Sequence, residues 1–135
     1  MEAGCPGEYR ALWQGRRRAN RLVEDLEALG ASPARVAPGQ FSIPDVSSAG
    51  TWLGALYVLE GSTLGGQVIS RHLEKHFGWR DGRGYSFFLG HGSQTGERWR
   101  EVVKLLDAKS EVDNQIIAGA HQTFNQMNRC IRALL

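Results

Sequence analysis

The chain has little cysteine, little net charge and no long apolar run, and each shortage excludes a class of protein. Its two cysteines, Cys5 and Cys130, lie near opposite ends without CxxC or Cys/His spacing. Neither a disulfide framework nor a zinc or other metal site is expected, and a reducing, cytoplasmic setting suits the sequence. A formal net charge of +2 over 135 residues is too mild to point to nucleic acid, and the run Arg16-Arg17-Arg18 reads as a solvated helix face. No apolar run approaches the ~18 residues of a membrane span. The start, Met1-Glu2-Ala3-Gly4-Cys5, lacks the basic region and apolar core of a secretory leader. Export and membrane insertion are therefore not expected.

What the chain does have is helical periodicity. Tyr9, Leu12 and Trp13 begin an apolar face, Gly15 threatens to break it, and Leu22, Val23, Leu26 and Leu29 resume it before Gly30 supplies a stop. Ala31 to Pro44 carries three of the four prolines and reads as loop. Ser47 or Ser48 is placed to cap a long helix that ends near Phe77-Gly78. Glycine at 82, 84, 90 and 92, with aromatic residues between, marks a second loop from Trp79 to Ser93. Trp99, Val102, Val103 and Leu106 then predict a third helix. Ser110 followed by Glu111 and Asp113 predicts the start of a fourth, with Val112, Ile116, Ala120, Thr123, Met127, Ile131 and Leu134 as its buried stripe. No strand pair, repeat or linker is evident, so the expectation is an all-α bundle forming one domain over residues 1–135.

The long central helix carries glycine at 54, 61, 65 and 66, each costing about 1 kcal/mol relative to alanine. At about 100° per residue, Gly54, Val58, Gly61 and Gly65 share one narrow stripe. Such bare backbone admits either a second helix or a flat ligand, and the spacing alone does not choose between them.

The run Gly61-Ser62-Thr63-Leu64-Gly65-Gly66-Gln67-Val68-Ile69 resembles the distal helix of the heme oxygenase family. Arg16-Arg17-Arg18-Ala19 leading to Asp25-Leu26-Glu27-Ala28-Leu29-Gly30, Phe87-Phe88, and Thr95-Gly96-Glu97-Arg98-Trp99-Arg100 resemble its bacterial, phytochrome-associated branch. The resemblance covers most of the chain from about residue 8. It implies the family's multi-helical fold and its activity: oxidative cleavage of heme, both substrate and cofactor, to biliverdin, iron and carbon monoxide. It further implies molecular oxygen, a reductase as external electron donor, and a phytochrome as product acceptor.

On this resemblance Gly61 and Gly65 are the distal glycines, where a Cβ would push away the ring or the oxygen. Ser62 stands where many relatives place a carboxylate that organises distal water, although a serine bonding back to its own helix is an equal reading. Gly54 and Val58 extend the heme-facing stripe. Arg100 resembles a propionate-binding arginine, against the alternative of a solvated surface residue. Phe124 resembles a distal-side aromatic, where core and pocket wall coincide. The arginine run at 16 to 18 is a further candidate for propionates or a reductase.

The family's proximal histidine precedes the glycine helix, whereas His72, His76, His91 and His121 all follow Gly65. The expectation is therefore an N-terminally shortened member. His72 and His76 read as an exposed helix end, and His91 and His121 remain as substitute ligands. A shortened bundle exposes apolar surface and is expected to self-associate. The second reading is a non-catalytic heme- or tetrapyrrole-binding or structural domain.

Overall fold

The apolar run that the glycines interrupt folds as one helix of 29 residues, and everything else is arranged around it. The computed structural model describes residues 1, 4–32 and 44–134. Among them lie α1 (Arg10–Gln14), α2 (Ala19–Ala28), α3 (Ala49–Phe77), α4 (Thr95–Asp107) and α5 (Asp113–Leu134), joined by short 3-10 turns, with no strand. The four expected stretches become five helices because the first is divided at Gly15–Arg18. The proline-rich loop expected at Ala31 to Pro44 lies largely outside the described residues.

Local chemistry sets the ends of α3. Of the two candidate serines, Ser48 is the cap. Its Oγ accepts from the Thr51 amide at 3.1 Å while Thr51 Oγ1 accepts from the Ser48 amide at 3.3 Å, a reciprocal capping box. At the other end Gly78 adopts φ 69° and donates its amide to the Leu73 carbonyl, the left-handed stop that glycine takes without a Cβ penalty.

The core gathers at the first half of α3. Trp52, Leu53 and Leu56 are fully buried with Tyr9 and Val102. Tyr9 stacks on Trp52 at 5.3 Å and Trp13 meets it edge-on at 6.2 Å. Burying each large side chain here contributes about 1.5–3 kcal/mol. No helix among the described residues is long and apolar enough to cross a membrane.

Two apolar stripes read from the sequence are not buried as expected. Leu22 and Val23 of α2 and Leu29 just past its end are exposed, and the residue α2 buries is Asp25. Its carboxylate accepts the amides of Ser86 and Phe87, both at 2.8 Å, so α2 docks through a carboxylate on backbone donors rather than through leucines. On α5, Ile116 packs against the core and Thr123 is buried, but Met127 and Ile131 are exposed because they flank open grooves.

The segment between α3 and α4 forms a strap along α3. It passes through 3-10 turns at Ser86–Leu89 and Gly92–Gln94. The Phe88 backbone lies so close to Gly66 that a Cβ there would sit 2.7 Å from the Phe88 carbonyl oxygen.

Candidate functional site

Each central glycine has a different neighbour, and only one faces open space. Gly54 lies against the backbone of α5: a Cβ would stand 2.1 Å from the Ile116 carbonyl oxygen, and one at Gly119 would stand 2.3 Å from that of Thr51. Helix crossing occupies Gly54, which corrects its expected place on the ligand stripe. Gly66 is taken by the strap. A Cβ at Gly61 would touch the Trp99 ring at 3.3 Å, and one at Gly65 would meet nothing within 4 Å.

The open space beside Gly65 is an apolar groove between α3, α4 and α5, about 360 Å³, walled by Tyr57, Val58, Leu64, Trp99, Phe124 and Met127 and floored by Gly61 and Gly65. A second lobe of about 380 Å³ shares Tyr57 and Phe124 and reaches His121. Each lobe falls in the ~300–1,000 Å³ range of small-molecule and cofactor sites. Tyr57 and Trp99 pack at 5.3 Å and form one rim. Phe124 is 52% exposed on the other.

Of the residues predicted from sequence, Val58, Gly61, Ser62, Gly65 and Phe124 come together at this groove. Ser62 Oγ donates to the Leu59 carbonyl at 2.7 Å, the back-bonded arrangement of a helical serine. Arg100 is exposed on α4 and is not among the groove-lining residues. His91, considered as a substitute ligand, is bound elsewhere, and His72 and His76 sit with ring centres 4.4 Å apart at the far end of α3.

Behind the groove lies a cluster that sequence reasoning missed. Glu60, the lone charge between Ala49 and Ser70, is buried. Its carboxylate pairs with Arg16, lies 3.9 Å from Arg18, and meets His91 Nε2 at 3.1 Å. Arg16 also binds Glu101 at 2.6 Å. Arg18 donates to the Leu59 carbonyl at 3.2 Å and lies 4.9 Å over the Phe87 ring, while Arg98 binds the Gly15 carbonyl and approaches His91 Nδ1 at 3.4 Å. The arginine run expected on a solvated face is thus largely internal. Burial pushes the His91 imidazole below its ordinary pKa; hydrogen bonding and charge from Glu60 oppose this, and Arg98 and Arg18 add to it. The available signal was Glu60 itself, because a carboxylate inside an apolar helix must find partners.

The heme oxygenase family model matches residues 11–133. A heme oxygenase from Xanthomonas campestris pv. campestris (strain 8004) is 37% identical over 124 residues, which span 90% of this chain and 71% of the relative. No solved structure gives a significant match. With a family match over nearly its whole length, and with Gly61 and Gly65 at the floor of an apolar groove, this chain belongs to the heme oxygenase family.

Proposed function

We propose that the groove over Gly61 and Gly65 receives one face of heme, and that the protein acts in oxidative cleavage of heme to biliverdin, iron and carbon monoxide. The observation that carries this reading is the bare backbone at Gly65, which leaves room that a Cβ would fill in a chain of the heme oxygenase family.

The residues fit the group on this side. Val58, Tyr57, Leu64, Trp99, Phe124 and Met127 offer apolar and aromatic surface to a flat macrocycle and exclude water from it. Heme, when bound, supplies the iron at which oxygen is activated, with electrons from an external donor. The chain's own contribution is position: Gly61 and Gly65 let the ring lie close to α3, and the rims formed by Tyr57–Trp99 and Phe124 fix its lateral place. Ser62 directs its hydroxyl proton to the Leu59 carbonyl and keeps its oxygen lone pairs for accepting from a water. His121, at the margin of the second lobe, is the histidine that lines the groove, whereas His91 is engaged by Glu60. A reductase as donor, a phytochrome as product acceptor and a cytoplasmic location complete the reading.

Hemin titration of the 135-residue chain, followed at the Soret band, tests it. Saturable binding is expected, and Gly65→Leu, whose side chain fills the groove, should abolish it. His121→Ala should change the ferric spectrum. Oxygen and ascorbate should then convert the bound pigment to biliverdin. Equal Soret changes in the parent chain and Gly65→Leu would sink the proposal.

A further inference from the structure

The Glu60 cluster stands outside the groove, and its chemistry is not explained by stability alone. A buried carboxylate is costly to desolvate, and an apolar residue of similar size in its place is often neutral or stabilising. What the charge supplies is direction. Glu60 gathers Arg16 and Arg18 from the turn between α1 and α2, and His91 from the strap, at one point on α3.

That point precedes Gly61 by one residue. One position earlier, the Leu59 carbonyl accepts from Arg18 and from Ser62. The strap is tied to α3 again seven residues on, where Gln67 Nε2 donates to the Gly92 carbonyl at 3.0 Å. The two ties bracket Gly61, Gly65 and Gly66. Those glycines make this the stretch of α3 with least intrinsic helix stability. Its front side is the open groove. Support comes from behind, through the strap and the α1–α2 turn.

We propose that Glu60 is a positioning residue for the groove: by binding Arg16, Arg18 and His91 together, its carboxylate braces the glycine-rich turns of α3 from behind and holds the floor at Gly61–Gly65. The relevance to heme rests on the function proposed above; the brace itself is a property of the ligand-free chain.

Hydrogen–deuterium exchange of the ligand-free protein, read by peptide, separates a brace from a merely peripheral anchor. In Glu60→Gln and His91→Ala, amides 61–67 should exchange about tenfold faster, while those of α4 and the first half of α5 keep their protection. His91→Gln, whose amide can donate to Glu60 in place of Nε2–H, should restore most of the protection. Hemin affinity should fall in the same order. If only residues 10–21 and 85–94 exchange faster while 61–67 stay as in the parent chain, the proposal is overturned. Should Glu60→Gln fail to fold, the His91→Ala and His91→Gln pair decides by the same criterion. The expected exchange pattern in a chain that binds no hemin would support the brace and overturn the heme reading, so the two fail separately.

Discussion

A methyl group at position 65 and a methyl group at position 54 have opposite consequences. Gly65 is exposed and its missing Cβ has no neighbour within 4 Å, so Gly65→Ala should gain helix propensity and raise stability by about 1 kcal/mol. The same methyl intrudes on the groove and should weaken hemin binding. Gly54→Ala places its Cβ against the α5 backbone and should destabilise by about 1–3 kcal/mol or more, the cost of overpacking that cannot relax into a side-chain rotation. Urea unfolding of the two variants, beside the hemin titration, checks the opposed signs. The glycines were legible as exceptions because glycine inside an apolar helix is costly. Which neighbour each one serves was not, since Ile116, Trp99 and Phe88 approach from distant parts of the chain.

At the scale of elements, α3 was legible because its apolar run and its Ser48 cap agree, and α4 and α5 were legible from their periodic apolar residues, with α5 starting at Asp113 after a 3-10 turn that takes Ser110. α2 has the same apolar pattern and uses it differently. Its docking rests on Asp25, whose two acceptor bonds satisfy the amides of Ser86 and Phe87, and on Arg21, which donates to the Gly90 carbonyl at 2.6 Å. Asp25→Ala should therefore leave two strap amides without their acceptor and cost about 1–3 kcal/mol. Faster exchange should be confined to residues 85–90 and α2, with α5 unchanged, as read by the peptides that cover those segments. Such a contact has no local signature, because a carboxylate 61 residues from the amide it binds looks in sequence like any surface aspartate.

For the whole molecule, the buried cluster ties stability to pH. Burial, with Arg98 and Arg18 beside it, holds His91 below its ordinary value despite Glu60. The folded chain therefore binds fewer protons at this site than the unfolded one. Stability from neutral His91 is fully present above about pH 6.5, the unfolded imidazole value, and is lost as the pH falls through the lower folded value. Thermal unfolding between pH 7.5 and 5 should show this decline, and His91→Gln should flatten it. The cluster was hidden from sequence because its ties join residues 44, 31 and 85 apart.

The meeting of Gly54 and Gly119 also has a mechanical side. The two backbones meet directly there, which fixes where α5 crosses α3, and the half of α5 beyond the crossing carries Phe124, Met127 and Ile131, all exposed. From Gly119 to Ile131 that arm is about 18 Å long. A change of a few degrees in the crossing angle thus moves the Ile131 end by roughly an ångström and the Phe124 backbone, about 7.5 Å from Gly119, by about half as much, so the width of the groove depends on how closely two glycines let the helices cross as well as on the side chains that line it.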